Sequence, residues 1–251
     1  MKKIIVYILI TCFLLAGCSA LNVVPEFSQK PIETIEPFKP MYKDLENTEC
    51  YLDLSSWIDD VDFETIKENG VTGVILRLAR YNLDKDESFD TFYNGAKSAG
   101  LKIGCYYFMN AADVDTAHAD AAKVINLLSD YEIDLPVFYD VENEHDHSGI
   151  NLKTIGKKTL AGIISAFCDD LRDAGFDAGF YCNMDFAMHY INMTKLRDYP
   201  FWAARWTPEE LSRSTYPNLA LHQYVGEAEL PGIEGTCGLN RCYLDLTERI
   251  R

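Results

Sequence analysis

LPVFYDVENE, residues 135–144, is the stretch on which the fold turns. Its apolar part reads as a strand, Pro136 to Glu142, that ends in two acids, Asp140 and Glu142, one residue apart. Side chains alternate along a strand, so both carboxylates point to the same face. Each charge disfavours the other and burial adds to the effect, so one of the two is expected to hold a proton near neutral pH. A protonated carboxyl beside an ionised one is what acid-catalysed bond cleavage needs. The competing reading is a solvated strand end that happens to be acidic.

Similar apolar runs recur on both sides of this stretch. Strands are expected at Tyr51 to Ser55, Gly73 to Ala79, Lys102 to Phe108, Ala178 to Asn183, Phe201 to Trp206, Ala220 to Val225 and Arg241 to Leu246. Between the first six, helical patterns span Asp62 to Asn69, Ser88 to Ala99, Val114 to Tyr131, Leu152 to Ala174 and Asp185 to Asp198. Gly70, Gly100 and Gly175 stand where helix ends favour glycine. Such alternation indicates a parallel sheet with helices outside, and eight strands favour a closed α/β barrel over an open sheet.

A barrel builds its site at the carboxyl ends of its strands. Asp140 and Glu142 end the fourth strand there. Asp53, on one face of the first strand with Tyr51 and Ser55, brings a third carboxylate to the same mouth. Arg77 on the second strand is positioned to supply a compensating positive charge. Tyr106 with Phe108, Tyr181 with Asn183, and Trp202 with Trp206 form same-face pairs on strands three, five and six. Aromatic walls with a few polar groups suit sugar rings, although aromatic side chains on strands also commonly build cores.

The composition, 48% hydrophobic and 25% charged, is that of one globular domain, and 251 residues are enough for a barrel. Acidic residues outnumber basic ones 39 to 23, and no basic stripe is present. A nucleic-acid partner is therefore not expected. A monomer is.

At the start, Lys2 and Lys3 precede an apolar run from Ile4 to Leu15 that ends in Leu15-Ala16-Gly17-Cys18. This pattern describes a secretory signal over residues 1–17, too short to span a membrane comfortably. The Leu-Ala-Gly-Cys ending resembles a bacterial lipobox, which implies lipid attachment at Cys18 and a membrane-anchored protein on the outer face. Residues 18–49, with Pro25, Pro31, Pro37 and Pro40, read as an extended tether, and residues 50–251 as the domain. In that domain Cys237 and Cys242 are the pair expected to oxidise first, while Cys105, Cys168 and Cys182 are expected to be buried thiols. No C-x-x-C spacing points to a structural zinc.

Eight blocks then follow in order: LDLSSW (52–57), GVILRLARYN (73–82), AKSAGLKIGCYYF (96–108), LPVFYDVENE (135–144), AGFDAGFYCN (174–183), FWAARW (201–206), ALHQY (220–224) and PGIEGTCGLNRCY (231–243). Together they resemble the glycoside hydrolase family 25 lysozymes, N-acetylmuramidases that act on peptidoglycan. The resemblance implies a TIM-like barrel of five β/α units followed by three strands. It also implies hydrolysis of the β-1,4 bond between N-acetylmuramic acid and N-acetylglucosamine, with no metal or organic cofactor. Glu142 matches the family's proton donor and Asp53 its first-strand acid. Asp140 matches the partner acid, which either stabilises positive charge at the sugar or orients the substrate's acetamido group. Arg77, Tyr106, Phe108, Tyr181, Asn183, Trp202, Trp206 and Gln223 are the substrate-binding candidates. Glycosidic cleavage passes through an oxocarbenium-like state that needs a proton for the leaving oxygen and a negative charge for the ring.

Two positions depart from the family. Gly238 stands where many members have an aspartate before Leu-Asn, which removes one pocket acid unless Asp245 replaces it, and Ile58 stands where a glutamine is common. The alternative to a working enzyme is thus a weakened or inactive peptidoglycan-binding lipoprotein. A metal-dependent hydrolase using Glu144, His145, Asp146 and His147 is disfavoured because the histidines lack helical i, i+4 spacing. A lipid-anchored solute receptor is disfavoured because the chain holds one barrel's worth of strands and no second lobe.

Overall fold

In the computed structural model, the described residues are 49–79, 84–143, 149–243 and 246. The signal, the lipobox with Cys18, nearly all of the tether, the segment Glu144 to His147 and Asp245 lie outside them.

Eight strands close into a barrel: β1 (Cys50–Leu54), β3 (Val71–Ala79), β4 (Lys102–Phe108), β5 (Val137–Asp140), β6 (Ala178–Asn183), β7 (Phe201–Ala204), β8 (Leu219–Ala228) and β10 (Cys237–Cys242). Neighbours from β1 through β8 run parallel. Only β10 runs the other way, and it closes the barrel between β8 and β1. A short ribbon pairs β2 (Asp60–Val61) with β9 (Ile233–Glu234). Helices α1 (Phe63–Glu68), α2 (Phe89–Ala99), α3 (Val114–Leu127), α4 (Lys157–Asp173) and α5 (Met184–His189) each follow one of the first five parallel barrel strands. Five β/α units followed by three strands is the expected architecture.

Burial on both faces explains why these strands read as apolar runs. On the outer face, Tyr139 of β5 stacks on Phe167 of α4 with ring centroids 3.8 Å apart, and Tyr107 of β4 stacks on the same ring. Inside the barrel, Tyr51, Ile75, Phe138, Tyr181, Trp202, Leu221 and Cys242 pack together. Trp202 is the hub, with Tyr181, Phe138 and Tyr106 rings at 4.6, 5.3 and 6.1 Å. The interior is therefore a filled core, as in other small barrels, and chemistry is left to the mouth.

Several boundaries differ from the sequence reading. The expected helix Leu152 to Ala174 is broken at Gly156, whose φ of 87° suits glycine, into a 3-10 turn at Leu152–Thr154 and α4. The stretch Asp185 to Asp198 is α5 and a separate 3-10 turn, Met193–Leu196. Helix α3 stops at Leu127, and Tyr131 beyond it packs edge-on against Phe89 and Tyr93. The last strand is Cys237–Cys242, not Arg241 to Leu246, because register and barrel closure override the weak strand propensity of Gly238 and Asn240. Cys237 and Cys242 are not bridged. They lie on opposite faces of β10, Cys237 in the outer core and Cys242 in the inner one, out of reach for a disulfide. Cys105, Cys168 and Cys182 are buried free thiols, as expected, and so is Cys237.

Candidate active site

Asp140 is the last residue of β5, opposite Phe108 of β4 and Tyr181 of β6. The strand that carries it is gripped from behind. Tyr139 donates its hydroxyl to the buried Asp120 at 2.5 Å, and Asp120 also accepts from Tyr107 at 3.3 Å and from the Asn110 backbone N–H at 3.1 Å. Glu142 lies two residues past the strand end, on irregular backbone. Asp140 is 7% exposed, and its Oδ1 has no hydrogen-bond partner among the described residues. Burial first, then the charges of Glu142 and Asp53, raise its pKa well above the usual carboxylate value, with Arg77 pulling back. The charge of Glu142 thus opposes ionisation of Asp140, as the sequence reading expects of neighbouring acids.

Asp53 faces the same mouth from β1. It accepts from Gln223 Nε2 at 2.8 Å and from Asn240 Nδ2 at 2.9 Å. Those two bonds favour its charged form, but burial outweighs them and its pKa is raised. The amides are locked in turn: Trp202 Nε1 donates to Asn240 Oδ1 at 2.7 Å, and Trp206 Nε1 donates to Gln223 Oε1 at 3.1 Å. An indole N–H only donates, so the amide oxygens must face the tryptophans and the NH2 groups are left for Asp53. Tyr181 donates to Gln223 Oε1 at 3.2 Å, and the charge of Glu142 bears on its hydroxyl, which sets the donor candidate beside the same network.

Beside Glu142 a cavity of about 370 Å³ opens, walled by Tyr181, Asn183, Trp206, Lys153 and Arg205. Three carboxylates therefore converge at a barrel mouth next to a cavity with aromatic and cationic walls. Residues 52–233 match the model of Glycosyl hydrolases family 25.

The chain belongs to glycosyl hydrolases family 25. It is 28% identical over 195 residues to an autolytic lysozyme of Clostridium acetobutylicum, a match that covers 75% of this chain and 54% of that protein. The chain therefore spans about half the length of this relative. Among solved structures it resembles the modular autolysin LytC of Streptococcus pneumoniae in complex with synthetic peptidoglycan ligand, with a TM-score of 0.70 and 22% identity over 78% of this chain and 47% of that one. A bacterial lysozyme from Streptomyces coelicolor matches with a TM-score of 0.67 and 20% identity, over 82% of this chain and 96% of that one. At these identities the structural likeness establishes the TIM-like barrel fold.

Within this family 25 barrel the substrate-binding candidates separate. Tyr181, Asn183 and Trp206 line the cavity, and Trp206 is 72% exposed. Gln223 is buried among the acids and holds Asp53. Trp202 is only 2% exposed and lies beneath the site, as its floor and as the clamp on Asn240, so it is not a wall. Tyr106 is half-buried with its ring against Trp202, and Phe108 is half-buried beside Asp140. Asn183 spends its side-chain oxygen capping α5, accepting from the Phe186 N–H at 2.8 Å. Arg77 is engaged by Asp86 at 2.6 Å and by Ser56 at 2.9 Å, so its compensation of the acids acts at longer range than a direct pair. Ile58, at the second departure, is buried in the outer core.

Sequence reasoning missed Asn240, Asp86, Trp57, Lys153 and Arg205. Asn240 had a signal, because it alternates with Gly238 on the inner face of β10, but the misplaced last strand hid it. Trp57, 82% exposed beside Arg77 at the end of β1, followed Asp53 in LDLSSW. Lys153, in the 3-10 turn, and Arg205, in a loop, belong to no periodic pattern.

Proposed function

We propose that this chain is a muramidase that hydrolyses the β-1,4 bond between N-acetylmuramic acid and N-acetylglucosamine in peptidoglycan. The observation that carries the reading is the buried Asp140, its pKa raised by burial and by the charge of Glu142, at the mouth of a family 25 barrel. Each charge opposes the other, so the pair shares a proton between its two members. When positive charge develops at the sugar ring, it draws the negative charge onto Asp140. The proton then belongs on Glu142, which is placed to hand it to the leaving oxygen. Asp140 as carboxylate stabilises the ring or orients the acetamido group. Trp206 offers an exposed indole face to a sugar, with its N–H already engaged by Gln223.

The protein is further proposed to act from a membrane, anchored through lipid on Cys18. The Lys2 to Cys18 pattern and the proline-bearing tether support this. Clearing of purified cell-wall suspensions tests the hydrolase. Walls that bind the protein but never clear, with Glu142→Gln behaving like the wild type, would favour the binding lipoprotein instead. Globomycin-sensitive processing, or labelling with a fatty-acid probe that Cys18→Ala abolishes, tests the anchor.

A further inference from the structure

Gly238 of β10 is paired directly with Asp53 of β1. The Asp53 carboxylate lies across it: a Cβ built on Gly238 would stand 2.0 Å from Asp53 Oδ2 and 2.6 Å from both Cγ and Oδ1. No side chain fits there while the carboxylate stays in place. The glycine is not needed for its backbone, since its φ is not among the positive ones, so space alone explains it. Oδ2, the atom nearest Gly238, is also the one that accepts from the Gln223 and Asn240 amides, whose orientation Trp206 and Trp202 fix. Two aimed donors thus hold Asp53 against a bare stretch of backbone.

We propose that Gly238 is a positioning residue: its missing side chain lets the Asp53 carboxylate cross from the first strand and take the place that an acid on the last strand would fill. On this view the pocket has not simply lost an acid. One carboxylate, reaching across from β1, occupies the last strand's acid position. What Asp53 acts on rests on the muramidase reading, whereas the Asp53–Gly238 contact does not. Its charge bears on Asp140, which Glu142, Arg77 and the Tyr106 and Tyr181 hydroxyls also face. The Asp53 charge is one of the causes that raise the Asp140 pKa.

A double-mutant cycle of Asp53→Ala and Gly238→Ala tests this, read in wall hydrolysis, in its pH profile and in melting temperature. Gly238→Ala displaces the carboxylate from its donors, which favours its neutral form and relaxes its hold on the Asp140 proton. Both single variants should therefore lower kcat/KM about tenfold and move the limb that reports Asp140 to lower pH. In the Asp53→Ala background, Gly238→Ala should change rate and melting temperature little, because the clash has gone. Gly238→Asp, which restores the family's usual residue, should lower activity as well. Losses that multiply, an unmoved pH limb, or a Gly238→Asp protein as active as the wild type would overturn the inference. Should Gly238→Ala alone fail to fold, recovery of folding in the Asp53→Ala background supports it and failure there overturns it. The melting-temperature arm stands even if wild-type protein clears no walls, so a failed muramidase reading is distinguishable from a failed positioning role.

Discussion

Trp206 Nε1 lies 3.1 Å from Gln223 Oε1, so the most exposed aromatic beside the cavity is joined through one amide to the half-buried Asp53. Ring and N–H can be separated by substitution. Trp206→Phe keeps a stacking face but drops the donor, and should lower kcat about two- to tenfold with KM nearly unchanged. Trp206→Ala removes both and should raise KM as well. Steady-state kinetics on soluble glycan fragments checks the split, and equal effects of the two variants on KM would refute it.

Asp140 carries an opposite pair of consequences. Its folded-state pKa is raised, chiefly by burial, so the native state binds this proton more tightly than the unfolded chain does. The stability it contributes is complete below the unfolded carboxylate pKa and declines as pH rises toward the folded value. Asp140→Asn mimics the protonated form at every pH. It should abolish wall clearing yet raise the melting temperature by a few degrees at pH 7, with the gain shrinking toward pH 4. Thermal melts across that range decide it.

Behind β5, Asp120 accepts three hydrogen bonds, two of them from tyrosines on the strands that border the site. Asp120→Ala would strand these donors and should cost about 2–3 kcal/mol in denaturant unfolding. If stability is unchanged, the grip on β5 is not what it looks like geometrically.

How much of this was legible beforehand depended on periodicity. Asp140, Glu142 and Asp53 were found because apolar runs ending in acids survive as a pattern, and the β/α alternation placed them at one mouth. Trp202 was misjudged for a physical reason: alternation says which face a residue takes, but not how deep in the barrel it lies. Asn240 and the role of Gly238 were hidden because β10 is bulged and antiparallel, with its register set by closure against β1 and β8 and not by its own residues. Lys153 comes from a single 3-10 turn and Arg205 from a loop, where position follows from the fold alone.

Those two cations wall the cavity beside Glu142 in a chain of net charge −16. An anionic group on the muramic acid arm, whether its lactyl carboxylate or a stem-peptide carboxylate, is the natural counterpart. Lys153→Ala with Arg205→Ala should raise KM about threefold on peptide-bearing walls at low salt, with little change on uncharged chitin oligomers. Walls stripped of peptide distinguish the two carboxylates. A parallel change on chitin oligomers would contradict a charge-reading role.

The most direct measurement is mass spectrometry of borohydride-reduced fragments released from purified peptidoglycan by the wild type and by Glu142→Gln. Expected are muramitol ends from the wild type, released at least about a hundredfold more slowly by Glu142→Gln. Glucosaminitol ends, or equal release by the two proteins, would contradict a muramidase that uses Glu142 as its acid.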